Sequence, residues 1–113
     1  MSDKCLFCGI VSGKIPADIV AEDDEAIVLR DINPQAPSHL LVIPRRHVAS
    51  LDEADDVVDV GNLMRLAAEV ARDEGIAEAG YRVVVNTNAH GGQTVQHLHL
   101  HILGGRQMTW PPG

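Results

Sequence analysis

The chain has 113 residues, 45% hydrophobic and 22% charged, with a formal net charge of −7. That length suits a single domain over residues 1–113 with a core that needs no disulfides, and the composition is that of an ordinary globular protein. An acidic balance excludes a broad basic footprint for nucleic acid, and no apolar run approaches the ~20 residues of a membrane span. The first residues, Met-Ser-Asp-Lys-Cys, lack the charged-then-apolar pattern of a secretion signal, so a cytoplasmic protein without membrane partners is expected.

From the N-terminus, Leu6 to Val11 forms an apolar cluster around Phe7 and Ile10 that suits a short helix, ended by Gly13-Lys-Ile-Pro16. Cys5 and Cys8 are three residues apart, so their sulfurs can face the same way. This C-x-x-C pair has three readings: a redox dithiol, half of a zinc site, or two small buried apolar groups. The redox reading expects a βαβ context that is absent here.

Ile19 to Glu22 and Ala26 to Asp31 read as a hairpin around the acidic turn Glu22-Asp-Asp-Glu25. A loop stiffened by two prolines, Asp31 to Pro37, leads to a third strand, His39 to Ile43, closed by Pro44. Arg45-Arg46-His47 reads as a solvated strand end. Ser50 and Glu53 have the spacing of a capping box. From Asp56, Val57, Val60, Leu63, Met64, Ala67, Val70 and Ala71 recur at helical steps, marking one face of a long helix that packs on the sheet and ends between Gly75 and Gly80.

Tyr81 to Thr87 is β-branched and predicts a strand. It is joined through Asn88-Ala-His-Gly-Gly-Gln-Thr94 to a last strand from about Val95 to Leu103, and the rest is an irregular tail. Five strands connected mainly as hairpins, one long helix and a short N-terminal helix predict an α+β fold built on a five-stranded antiparallel sheet.

The last strand contains His97-Leu-His-Leu-His-Ile-Leu103. Alternation puts His97, His99 and His101 on one face and Leu98, Leu100 and Ile102 on the other. Three imidazoles in one patch make a chemical surface, suited to metal binding, catalysis or phosphate binding. Gly91-Gly92-Gln93-Thr94, just before them, can turn successive amides toward an anion, although a plain glycine turn has the same composition. Thr94 adds a hydroxyl donor. A neutral imidazole attacks phosphorus through one nitrogen if the other holds its proton toward a fixed acceptor, and no metal is required. His99, in the middle, is the candidate nucleophile.

Gly92-Gln-Thr-Val-Gln-His-Leu-His-Leu-His-Ile-Leu103 resembles the H-φ-H-φ-H-φ-φ signature of the histidine triad (HIT) family of nucleotide hydrolases and transferases. Phe7 to Pro16, Asp31 to Pro37, His39 to Pro44 and Gly104 to Gly113 resemble its HINT branch, the purine nucleoside phosphoramidases. His101 stands where the family's transferases carry glutamine. The resemblance implies a HIT-like fold and hydrolysis of the P–N bond of adenosine or guanosine 5′-phosphoramidates, including aminoacyl-adenylate-type substrates, through a nucleotidyl intermediate on His99. It implies catalytic roles for His99, His101, His97, His39 and Thr94. It also implies a base and ribose pocket of Leu6, Phe7, Ile10, Leu29 and Ile32, with Asp31 on the ribose hydroxyls. Asn86, Gly92, Gln93, Thr94, His99 and His101 would form the phosphate side. Thr94 replaces a common serine, which bears on leaving-group size.

The resemblance further implies a homodimer in which the long helix and the strand from Tyr81 continue the sheet and Trp110 approaches the partner's site. By analogy with zinc-carrying bacterial members, Cys5, Cys8, His47 and His97 would form a closed structural zinc site. Three readings compete with the phosphoramidase: a dinucleoside polyphosphate hydrolase, a nucleotide-binding regulatory or scaffold protein, and a zinc enzyme ligated by all three triad histidines.

Overall fold

The computed structural model describes residues 4–113. In chain order these form α1 (Leu6–Val11), β1 (Ile19–Glu22), β2 (Ala26–Arg30), β3 (Ser38–Pro44), a single 3-10 turn (Leu51–Glu53), α2 (Val60–Asp73), β4 (Tyr81–Val84), α3 (Asn88–Gly91) and β5 (Leu100–Gly104). The five strands make one antiparallel sheet in the order β1-β2-β3-β5-β4, as the hairpin pattern predicts.

Residue parity decides which side each strand residue serves. Ala26, Val28, Leu40, Val42, Leu100 and Ile102 pack under α2, together with Leu98 from the segment before β5. Ile27, Leu29, Leu41 and Ile43 pack on the other face against Phe7 and Ile10 of α1. His101 is cross-strand from Leu41, and His39 lies two residues along the same face of β3. The α1 face therefore carries both an apolar layer and the histidines.

α2 forms where Leu63, Leu66, Ala67, Val70 and Ala71 present a buried stripe at helical spacing. Its start is fixed by Asp59, whose carboxylate accepts from the amide of Asn62 at 3.0 Å. Its end is followed by Gly75 at φ +80°, a left-handed position that glycine occupies without a Cβ penalty. Arg30 and Ser38 hold that end to β2 and β3 through Glu74, with Arg30 donating at 2.7 and 3.1 Å and Ser38 at 3.2 Å.

Several local expectations are corrected. The helix begins at Val60 rather than near Asp56, because Asp59 supplies the cap. Val57 stays 39% and Met64 44% exposed, while Leu66 takes the buried place. Ser50 precedes the 3-10 turn but makes no side-chain cap bond, so the capping box does not form. The strand expected over Tyr81–Thr87 stops at Val84, and a one-turn helix at Asn88–Gly91 interrupts the connecting loop. The strand expected from Val95 begins only at Leu100, yet Leu98 and Leu100 still point into the α2 core.

Candidate functional site

A cavity of about 390 Å³ opens on the α1 face of the sheet, within the roughly 300–1,000 Å³ typical of small-ligand sites. α1 contributes Leu6, Phe7 and Ile10, the following loop Ile15, Pro16 and Ala17, and β2 Leu29. Asp31, Ile32, Asn33 and Gln35 of the proline loop close another side. His39 and Leu41 from β3 and Thr94, Val95, His99 and His101 complete the wall. One flank is thus apolar, and the other carries three histidines and a carboxylate.

His99 is 6% exposed, and its Nδ1 lies 2.7 Å from the carbonyl oxygen of His97. A carbonyl only accepts, so Nδ1 carries the proton and Nε2 keeps its lone pair. Phe7 packs edge-on against the ring with centroids 5.0 Å apart. Burial pushes the His99 pKa down, opposed by the hydrogen bond to His97 and by the Asp31 charge. The ring is therefore held neutral, with one nitrogen free to act as a nucleophile.

The other two histidines are linked in the same way. The backbone amide of Gln35 donates to His39 Nδ1 at 2.9 Å, leaving the His39 proton on Nε2. That Nε2 lies 2.9 Å from His101 Nδ1 and 3.4 Å from Asp31 Oδ2. His101 Nδ1 must then accept, which places its own proton on Nε2 as a donor. Burial, reinforced by the neighbouring His99 and His39 and opposed by Asp31, pushes His101 down to about 4. Burial lowers His39 as well, opposed by Asp31.

His97 belongs to a different cluster. It is fully buried, and its Nε2 lies 2.9 Å from the carbonyl oxygen of Pro44, so the proton sits on Nε2 and Nδ1 is a bare lone pair. Nδ1 faces Cys5 Sγ at 3.3 Å, Cys8 Sγ at 3.6 Å and His47 Nδ1 at 3.1 Å, and Cys8 Sγ is 3.3 Å from His47 Nδ1. A tetrahedral zinc with bonds of about 2.1 Å to nitrogen and 2.3 Å to sulfur has ligand–ligand edges of about 3.4–3.8 Å. Four of the six donor pairs stand at 3.1–3.6 Å and all lie within 4.8 Å, and their chemistry fits a closed Cys2His2 set.

The outcome for the sequence-predicted residues is uneven. Cys5, Cys8, His47 and His97 come together, which removes His47 from a merely solvated strand end and separates His97 from the cavity wall. A zinc shared by all three triad histidines is not what the geometry offers, since among the described residues His97 and His101 fall in separate donor groups and His99 in neither. Leu6, Phe7, Ile10, Leu29, Asp31, Thr94, His39, His99 and His101 line the cavity. Ile32 does so only as an outer rim, 97% exposed.

Gln93 points elsewhere. Its amide donates to the carbonyls of Ala49 and Val95 and accepts from the Asn88 amide, bracing the loop before the histidines. Asn86, Gly92 and Trp110 do not line the cavity, and Trp110 is 82% exposed. Ile15, Pro16, Ala17, Asn33, Gln35, Leu41 and Val95 line it without having been expected. Leu41 was recoverable from strand parity. The backbone groups of Gln35, Pro44 and His97 had no signal in the residue types.

Residues 12–108 match the family model described as HIT domain. The chain is 44% identical over 110 residues to the purine nucleoside phosphoramidase of Escherichia coli strain K12, covering 96% of this chain and 92% of that protein. It is 50% identical over 115 residues to an uncharacterised HIT-like protein of Synechococcus elongatus, covering all of both. Its fold is similar to the crystal structure of a HIT family hydrolase from Legionella pneumophila, with TM-score 0.93, 52% identity and coverage of 97% and 100%. The chain belongs to the HIT domain family.

Proposed function

We propose that this protein hydrolyses the P–N bond of purine nucleoside 5′-phosphoramidates, through a covalent nucleotidyl intermediate on His99. The observation that carries the reading is the buried His99 ring, its Nδ1 on the His97 carbonyl and its Nε2 free beside a nucleoside-sized cavity. The name of the Escherichia coli relative supports the substrate class.

In this reading the base lies between Leu6, Phe7, Ile10 and Leu29, and Asp31 accepts from the ribose hydroxyls. Ile32 covers the ribose from the rim, and Asn86 and Gly92, which lie outside the cavity wall, would meet the phosphate only where it extends beyond that wall. His99 Nε2 attacks the α-phosphorus and the P–N bond breaks. The His97 carbonyl stabilises the charge that develops on the ring. His101, through Nε2–H, and Thr94, through its hydroxyl, hydrogen-bond the phosphoryl oxygens and the departing nitrogen. Water then displaces His99 from phosphorus. Over the full cycle one proton of water goes to the amine and the hydroxide to the nucleotide. His39 holds His101 in the donor tautomer.

Cys5, Cys8, His47 and His97 hold a structural zinc in this reading. Four protein donors leave no open position, so the metal would join α1 to the sheet rather than polarise substrate. The protein works as a cytoplasmic homodimer on small nucleotides rather than on nucleic acid or membrane. The outer position of β4 supports sheet continuation by a second copy, and the exposed Trp110 supports reach toward a partner's site.

The test is turnover of adenosine 5′-phosphoramidate by wild type and His99→Ala, each with and without chelator. Wild-type turnover that falls by ~10³-fold or more in His99→Ala, with AMP still bound, is expected for loss of a nucleophile. Wild-type inactivity on phosphoramidate alongside cleavage of dinucleoside polyphosphates would overturn the substrate assignment. Nucleotide binding without any turnover would make the protein a sensor.

A further inference from the structure

The four-donor cluster and the cavity share one element. Cys5 is the N-cap residue of α1 and Cys8 lies within it, its amide donating to Cys5 Sγ at 3.3 Å. Between and beside them, Leu6, Phe7 and Ile10 form the apolar wall of the cavity. α1 is only six residues long, far below the ~12–15 at which a helix sustains itself in water. Its position therefore depends on what anchors it. Its anchors include the burial of Phe7 and Ile10 against the sheet, with Val11 packed beside them, and the donor cluster at its N-terminal end.

Phe7 is the physical bridge between the two sites. Its ring meets His97 edge-on at a centroid distance of 5.8 Å and His99 at 5.0 Å. One side of the phenyl thus rests on a cluster imidazole and another on the nucleophile. The His99 hydrogen bond, by contrast, runs to main chain, and its neighbourhood is held separately by His97 Nε2–H on Pro44 and the Leu98 amide on the Val48 carbonyl at 2.8 Å.

We infer that occupancy of the Cys5–Cys8–His47–His97 cluster by a tetrahedral divalent cation sets nucleotide affinity, by locking α1 as the wall against which the base packs. This rests on the nucleotide reading of the cavity and adds a role for residues that never touch the ligand. His47 is the cleanest case. It lies on the connection after β3, is exposed, and lines no part of the cavity, so it acts on the nucleotide without touching it. Its role, with that of Cys8, is to position α1. Because the coupling is a binding linkage, it is reciprocal: nucleotide must tighten the metal by the same factor that metal tightens nucleotide.

The coupling predicts a larger effect on KM than on kcat. Releasing α1 loosens the apolar wall, while the main-chain acceptor that fixes the His99 tautomer retains its own supports.

The experiment uses the full chain, stripped with chelator and reloaded with Zn2+ or Co2+. AMP binding is measured by calorimetry, metal loading by the visible bands of tetrahedral thiolate-ligated Co2+, and folding by circular dichroism. Loading is expected to tighten AMP binding by about 10-fold, within the range usual for coupled sites, and AMP to tighten Co2+ by the same factor. His47→Ala should fold, lose the Co2+ bands and bind AMP like the stripped protein. His47→Cys, which keeps a ligand at that position, should restore both the bands and the affinity. Tetrahedral Co2+ bands with AMP affinity unchanged by loading would overturn the coupling and leave both sites standing. Absence of the bands would overturn it together with the metal site, and absence of AMP binding to loaded wild type would overturn it together with the nucleotide reading.

Discussion

His97 and His99 are two residues apart, both buried and both on the same side of the chain, yet they present opposite nitrogens to their surroundings. His97 gives its Nε2 proton to the Pro44 carbonyl and turns a bare Nδ1 toward two sulfurs and a second imidazole. His99 gives its Nδ1 proton to the His97 carbonyl and keeps Nε2 bare beside the cavity. The side chains are chemically identical. What turns one ring's lone pair toward the sulfurs and the other's toward the cavity is which backbone carbonyl each ring meets, and one of those carbonyls belongs to the other histidine.

The comparison breaks most severely if the cluster is emptied. With Zn2+ free at about a thousand times its dissociation constant, binding to the folded state alone stabilises it by about 4 kcal/mol. Chelator or Cys8→Ala should remove that amount, read from urea unfolding midpoints, whereas chelator added to Cys8→Ala should change nothing further. Equal midpoints with and without chelator in wild type would mean that the donors do not hold a metal when folded.

The second effect belongs to the other cluster. Burial pushes His101 from the ordinary imidazole value of 6.5 down to about 4 in the folded chain. Between those values the unfolded chain holds a proton that the folded chain does not, so stability falls as the pH drops below 6.5. The loss approaches about 3 kcal/mol near pH 4. Metal-free protein, in which thiolate ligation does not contribute, should show this acid limb, and His101→Gln should make it shallower, leaving the part that the buried His39, His97 and His99 contribute with the same sign. An unchanged limb would assign the loss to other groups.

A smaller change sharpens the division of labour. Asp31 lies in the cavity wall, and its carboxylate also lies 3.4 Å from His39. Asp31→Asn should weaken AMP binding by about 10-fold, the worth of a charge-assisted hydrogen bond, and leave the Co2+ spectrum of the cysteine cluster untouched. A disturbed spectrum would show that the two clusters are not separable.

Much of this was legible in the sequence because it depends on side-chain parity and spacing. The alternation through His97–Leu103 placed Leu98, Leu100 and Ile102 in the core correctly, even though the strand itself begins only at Leu100. The C-x-x-C pair, His47 and His97 were already grouped by analogy. The start of α2 was misjudged because Val57 fits a helical stripe by spacing, whereas the cap at Asp59 decides where the first hydrogen-bonded turn closes. Gln93, expected on the phosphate, instead spends its amide on Ala49, Val95 and Asn88, backbone partners that no residue type announces. The histidine tautomers were hidden for the same reason. They are fixed by the carbonyls of Pro44 and His97 and the amide of Gln35, groups every residue possesses and only the fold aims.

The most direct test is therefore the tautomer of each ring, read by long-range ¹H–¹⁵N correlation on ¹⁵N-histidine-labelled, metal-free protein at neutral pH, with single substitutions for assignment. The account predicts a proton on Nε2 of His97 and on Nδ1 of His99, with His101 protonated on Nε2. A His99 ring protonated on Nε2, or a His97 ring protonated on Nδ1, would contradict it.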